Sequence, residues 1–527
     1  MRIIVLLIFI VVFSHSSFGQ VLYPNHYYKD YLKLLDLENE EFKSGIILHP
    51  SIITDYAPDS ILKNDIWEGR FEFINLGDKA IQVLDPSWNV SYNSKYPRGY
   101  NDGAQWQGKG FNSVLNFGVT GKIGMLHYTF APVVYMAQNS SYEIVTNSTA
   151  RNEFAYPFSN NIDWVQRYGN NALYAFHPGQ SEVRLVYKNA TIGISTQNMV
   201  WGSSQFNPIL MSTNAGGFPH VDLGTNVPVN TSIGDIEFKS YWGILKESAY
   251  FDSNDTNNSR YITGFVFGYS PKFIKGLSIG INKVLYQKGQ DFDWKGIFKS
   301  YGSIFSHKSE NLSGGGTSND NIDHLASVVV RWIFEEVGFE SYIEFARNDF
   351  SGQFVGGFFD QPDHSRAYTI GFIKTGKING NPIKFTYEHT TLGKSRTELI
   401  RATPTYYVHG IVPQGYTNNG QVLGAGIGPG SNADIIEVKY YSPSGSIGFD
   451  FQRIRYNDDY YYSKFTADTD IHMDQEYNLG LNYLRFVDNL SFQIGFLYSL
   501  RDNWQYVKGS RPGNINMYFT LTRKINR

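Results

Sequence analysis

Two neighbouring segments, Tyr477-Asn-Leu-Gly-Leu-Asn-Tyr483 and Leu490-Ser-Phe-Gln-Ile-Gly-Phe-Leu-Tyr-Ser499, decide the fold; a tight turn at Val487–Asn489 joins them. Side chains of an extended strand point alternately to its two faces, so apolar–polar alternation at period two marks one oily and one polar face. Tyr477, Leu479, Leu481 and Tyr483 make the oily face of the first segment, and Asn478, Gly480 and Asn482 the polar face. The same alternation returns at Ile436, Val438 and Tyr440 and at Ile383, Phe385 and Tyr387. A soluble sandwich would share this pattern, so the connections must separate the two folds.

Working towards the N-terminus, tight connections at Pro443–Gly445, Asn379–Asn381, Glu335–Gly338 and Pro271–Lys275 alternate with long ones. The long ones are Arg501–Gly513, Asn457–Met473, Leu392–Ala433, Phe350–Ser365, Gln287–Ile322 and Lys246–Ser259. A closed sheet across an outer membrane has short periplasmic turns and long extracellular loops, and a sandwich has no such asymmetry. The pattern therefore predicts an all-β, transmembrane antiparallel β-barrel. Hairpins at 80–94, 109–138 and 181–197 continue it, but no clear strand stands out in Asn198–Ser232. That segment either holds one more strand or threads the lumen as a plug. Bacterial barrels carry even strand numbers, which gives about eighteen.

Upstream, Arg2, the apolar run Ile3–Phe13 and the small residues Ser17 and Gly19 predict a cleaved signal peptide over 1–19. The run falls short of the ~20 apolar residues of a spanning helix. Residues 20–78 are then a periplasmic helical or plug segment, with an amphipathic helix at Tyr27–Asn39, and 79–527 the barrel in the cell outer membrane. The chain has no Cys, which excludes disulfides and thiolate metal sites. A net charge of −3 offers nothing to nucleic acid, while 38 Tyr and 38 Phe suit aromatic girdles at the lipid boundary.

Glu182, Arg184, Glu237, Lys239, Glu340, Glu344, Lys384, Glu388, Glu437 and Lys439 fall on the lumen face and read as a mixed-sign ladder that neutralises itself. His220, Asp360, Asp363 and His364 are the residues closest to a reactive set. None stands at a metal or nucleophile spacing, so no catalysis, cofactor or metal is expected. The Gly424–Gly430 run is expected to fold its loop down into the barrel. Aromatics crowd the outer loops: Tyr100 and Trp106; Trp164; Tyr406, Tyr407 and Tyr416; Tyr461; Trp504. A flat apolar ring with a polar edge suits the face of a sugar, and Arg167, His409 and Arg501 are the polar candidates beside them. The competing reading is that such rings anchor at the interface or pack loop on loop. A porin-like channel for small solutes is the alternative function, favoured by an open lumen and disfavoured by one filled with Asn198–Ser232 and Gly420–Asn432.

Several blocks resemble the Wzi-type capsule-assembly family of outer-membrane barrels. They are Tyr31-Leu-Lys-Leu-Leu35, Tyr100-Asn-Asp-Gly-Ala-Gln-Trp-Gln-Gly-Lys-Gly-Phe-Asn112, Ser195-Thr-Gln-Asn-Met-Val-Trp-Gly202 and Leu210-Met-Ser-Thr-Asn-Ala-Gly-Gly-Phe-Pro-His220, then Asp363–Thr369, His409–Thr417 and Gly428–Asn432. Ser203-Ser204 departs from the Pro-Gly that would follow Trp201-Gly202. The resemblance implies an eighteen-stranded barrel with a periplasmic helical element and a lectin-like hold on capsular polysaccharide. Implied partners are surface polysaccharide, outer-membrane lipid and the polysaccharide export machinery.

Overall fold

In a computed structural model of the chain, the alternating segments form the wall of a transmembrane barrel. The structure describes residues 20–21, 23, 26–38, 45–53, 65–68, 70, 81–145, 152–252, 254, 256–292, 322–348, 362–399, 402–465 and 471–525. The expected signal peptide and Asp360 lie outside the described residues. No helix among the described residues is long and apolar enough to cross a membrane.

The wall strands, in chain order, begin with β1 (Gln82–Val83 and Ser87–Asn93), β2 (Gly110–Asn116 and Val119–Ile123) and β3 (Leu126–Phe130 and Val133–Ala137). Next come β4 (Leu173–His177 and Glu182–Tyr187), β5 (Ala190–Ser195) and β6 (His220–Thr225 and Val229–Asn230). Then follow β7 (Gly234–Lys246), β8 (Ser259–Pro271), β9 (Leu277–Lys288), β10 (Ile322–Phe334), β11 (Phe339–Asn348) and β12 (Arg366–Ile378). The last are β13 (Asn381–Thr391), β14 (Asn432–Ser442), β15 (Gly445–Arg455), β16 (Gln475–Val487), β17 (Leu490–Asp502) and β18 (Gly513–Arg523). Each pairs antiparallel with the next, and β18 returns to pair with β1, so that the sheet closes.

The side on which each residue faces is the reverse of a soluble protein. On β16 the oily Leu479 is 62% exposed, whereas the polar Asn478 is fully buried. Tyr477, Leu481 and Tyr483 share the outer face, as do Ile494, Phe496 and Tyr498 on β17. Lipid is the solvent of that face, so the apolar side chains belong outside and the polar ones inside.

The segment Asn198–Ser232 contains both of the alternatives the sequence left open. It supplies the strand β6, and its first half threads the lumen. β5 is only six residues long. After Ser195 the chain leaves the wall, so that Leu173–His177 of β4 pairs with β3 alone. Inside, Met199–Trp201 pairs with Leu48–Pro50. A helix, α1 (Tyr27–Glu38), lies within the wall at the end that carries the tight turns, against Tyr441, Leu484 and Phe486. It is therefore not a free periplasmic element: Tyr31, Leu34, Leu35 and Leu37 are all buried, and Tyr31 stacks on Trp67 at 4.0 Å.

The lipid-facing assignment is testable at Leu481, in the middle of β16. Leu481→Arg should cost about 2–4 kcal/mol of unfolding free energy in lipid vesicles. Leu481→Ala, which keeps the face apolar, should cost clearly less when followed by denaturant and tryptophan fluorescence.

Candidate functional site

Three wall carboxylates hold the inner segments by their backbone. Glu237 on β7 accepts N–H bonds from Ile46, Ile47 and Leu48 at 2.9, 2.5 and 2.8 Å. Glu388 on β13 accepts from the N–H groups of Gln205 at 2.6 Å and Asn207 at 2.8 Å, the Ser204 hydroxyl at 2.9 Å and the Tyr342 hydroxyl at 2.8 Å. Glu344 on β11 accepts from the Ile209 N–H at 3.0 Å. An irregular segment inside a barrel cannot bond its own backbone, and an ionised carboxylate offers about four acceptor sites in one place.

The rest of the ladder fixes α1 and the wall. Asp30 pairs with Lys384 and, at 2.6 Å, with Lys439; Asp36 pairs with Arg331; and Lys33 lies 2.8 Å from Glu340. Arg184 joins Glu182 at 2.9 Å and Asp222 at 2.7 Å, with Lys239 3.5 Å from Asp222.

The inner segments build an apolar core where a polar lumen would be expected. Ile46, Ile47, Trp201, Ile209, Leu210 and Met211 pack with Val266, Val284, Leu325 and Val329 of the wall. Gly280 makes room for this: a Cβ there would stand 2.0 Å from Ile47 Cδ1.

Several of the expected sugar-binding residues belong to this core. Tyr406, Tyr407 and Tyr416 are buried in it, and the hydroxyls of Tyr407 and Tyr416 donate to the carbonyls of Ile209 at 2.6 Å and Leu210 at 2.7 Å. Expected on the outer surface, they lie inside instead, because the loop folds down as the Gly424–Gly430 run suggested. Gly428, at φ +83°, sits against Trp164, whose ring atom would be 2.2 Å from a Cβ. His409 is buried, with Nε2 3.9 Å from Asp323.

The remaining candidates lie in the layer beneath the outer loops. Arg167 is buried and donates to Asn139 and Asn170. Arg501 pairs with Asp474 at 2.6 Å, and its guanidinium lies 3.9 Å from the Tyr456 ring centroid. Trp504 is buried 5.7 Å from Tyr96, and Tyr461 is buried beside Tyr462. Tyr100 is half-buried, with Oη 2.6 Å from the Tyr456 hydroxyl.

One outer strip keeps its rings partly exposed. Trp106 lies 5.0 Å from Tyr168, which meets Tyr250 edge-on at 5.8 Å, and Tyr250 meets Phe154 at 5.6 Å. Trp106, Tyr168 and Tyr250 come from three separate loops and are all half-buried. Tyr250 was missed by sequence reasoning, having no aromatic neighbour in its loop except Phe251.

Each described residue considered for catalysis has a partner outside that set. Asp363 pairs with Arg366 at 3.0 Å, the carbonyl of His364 accepts from Arg347 at 3.0 Å, and His220 Nδ1 lies 2.8 Å from the Phe218 carbonyl. Among the described residues no group of three His, Cys, Asp or Glu could hold a metal ion.

Two predictions follow from this geometry. Glu388→Ala strands the Gln205 and Asn207 amides and should cost about 2–4 kcal/mol; amide exchange over Ser203–Met211 should rise, with a smaller rise for Glu388→Gln. The second concerns Glu247, in the loop after β7, which accepts from Gln414 Nε2 at 2.6 Å. Burial pushes its carboxyl up to about 7 against that bond, with Asp252 and Asp163 adding to the rise. A raised folded pKa means stability that is present at low pH and lost as pH rises through about 7. Protection factors of Glu247–Asp252 should fall between about pH 4.5 and 7 and level off above, and Glu247→Gln should flatten the profile.

The family model described as capsule assembly protein Wzi matches residues 97–495. Among solved structures, the barrel is similar to the Escherichia coli outer-membrane protein Wzi, with a TM-score of 0.60 and 12% identity over 96% of this chain and 100% of that one. That protein is described as involved in group 1 capsule assembly and as a carbohydrate-binding β-barrel. OccAB4 of Acinetobacter baumannii also matches, with a TM-score of 0.40 and 11% identity over 86% of this chain and 100% of that one. OprD of Pseudomonas aeruginosa gives 0.38 and 8% over 85% and 95%. No curated protein matches the chain in sequence.

Proposed function

The chain belongs to the Wzi family of capsule assembly proteins, and from that premise we propose that this outer-membrane barrel binds capsular or other surface polysaccharide on its outward loops and aids its attachment or assembly there. The observation that carries the reading is the continuous strip Trp106–Tyr168–Tyr250, whose partly exposed rings from three loops offer stacking faces. Sugar rings lie on such faces through their C–H side, while hydroxyls reach polar groups at the rim. Each contact is weak, but a polymer engages many copies of the barrel at once, so weak sites add up to retention. The role requires no chemistry, and the reading is of a binding protein rather than an enzyme. The lipid around the oily belt and components of the export machinery complete its proposed surroundings.

The channel alternative is disfavoured by the lumen. α1 occupies its periplasmic end, and the inner runs around Leu210 and Leu423 fill its centre.

Deleting the protein should release polysaccharide from the cell surface into the medium, as read by capsule staining and by assay of the supernatant. In the purified barrel, Trp106→Ala and Tyr250→Ala should each weaken polysaccharide binding by roughly threefold to tenfold. Full retention after deletion would remove the proposed role.

A further inference from the structure

The inner segments do not fill the whole lumen. Beside them lies a chamber of about 420 Å³, walled by β14–β18 and β1–β3. His26 and the α1 residues Lys29 and Asp30 form its floor, and the loop Arg98–Gln107 and the inner residues Gln205–Asn207 form its roof. Its size lies within the range of roughly 300–1,000 Å³ for small-molecule sites. Its chemistry is unlike that of most such sites: thirteen Asn or Gln side chains line it. Four lining cations are matched by four lining carboxylates; Lys384 and Lys439 pair with Asp30, and Arg98 pairs with Glu476, outside the lining, at 3.0 Å.

The roof carries hydrogen-bonding capacity that nothing uses. Gln105 is 7% exposed and Asn207 4% exposed. Gln105 Nε2 and Asn207 Nδ2 have no partner among the described residues, nor does the side-chain Oδ1 of Asn101, whose Nδ2 donates to the Phe206 carbonyl at 2.8 Å. A buried amide left unpaired costs about 1–3 kcal/mol. Two unused donors and one unused acceptor together call for groups that both accept and donate, which is what a hydroxyl does. Tyr100 and Tyr518 add ring faces to the lining. The cancelled charges give no advantage to an ion.

We infer that the chamber is a second, internal site that takes a small uncharged sugar, held beneath the roof by Gln105, Asn207 and Asn101. It is distinct from the outer aromatic strip, and neither reading depends on the other. Water bonding the same atoms is the competing occupant, and binding measurements separate the two.

The full barrel in detergent would be titrated calorimetrically with glucose, galactose, N-acetylglucosamine and sucrose, with sodium glucuronate as the charged comparison. At least one neutral sugar should bind saturably and more tightly than glucuronate. The double variant Gln105→Leu/Asn207→Leu should raise its Kd at least tenfold while polysaccharide capture stays at the wild-type level. If the double variant fails to fold, judged by heat-modifiable migration, Gln105→Leu alone should raise Kd at least threefold. Binding of no neutral sugar, or equal binding by the variants, would leave water as the occupant and overturn the proposal. Equal binding of glucuronate would overturn the uncharged ligand class.

Discussion

In the hydrocarbon of a membrane, water cannot satisfy a backbone N–H or C=O, so a sheet that crosses it must bond every edge to another strand. The closure of β18 on β1 is the solution here, and the other features of the molecule are arranged around it. It determines which face of each strand meets lipid and which meets the lumen, and it sends the short and long connections to opposite rims. The wall is reduced at β5, where the chain turns inward after Ser195 and brings Asn198–Phe218 into the interior.

That inward turn creates a second packing problem. A segment without regular structure enters an enclosed space with its backbone groups unpaired. Glu237 and Glu388 meet this need by accepting several amides each and Glu344 by accepting that of Ile209, and an apolar core forms around the segments so held. Buried charge pairs such as Asp36–Arg331 carry a desolvation cost that offsets much of their attraction. Their role is better read as positional: they tie α1 to β10, β11, β13 and β14 in a single register. The outer loops rest on this packed interior. Rings that would otherwise move freely, such as Tyr407 and Tyr416, are committed to it, and Trp106, Tyr168 and Tyr250 remain at the rim.

Part of this interior was legible beforehand. From Ala402 to Ala433 the chain has no Asp, Glu, Lys or Arg, and Asn198–Pro219 has none either. Long uncharged loops are poorly suited to open solvent, and most of both segments is in fact buried. Reading Tyr406, Tyr407 and Tyr416 as surface rings gave weight to their residue type over the lack of charge around them. The burial of the lumen charges was also foreseeable from strand alternation. That three of the carboxylates would bind backbone amides rather than lysines or arginines was not.

The alternation of Tyr477–Tyr483 and the sequence of tight and long connections determined the barrel and its lipid face without reference to any distant residue. Those properties arise from interactions between a strand and its solvent or its next neighbour, so they are written locally. Only the tertiary structure decided what fills the lumen and which aromatics reach the rim. Glu237 is 191 residues from Ile46, and Glu344 is 135 residues from Ile209. A carboxylate carries no mark in sequence of the partner it will accept from, because any N–H satisfies it, and closure of the barrel alone selects which one arrives.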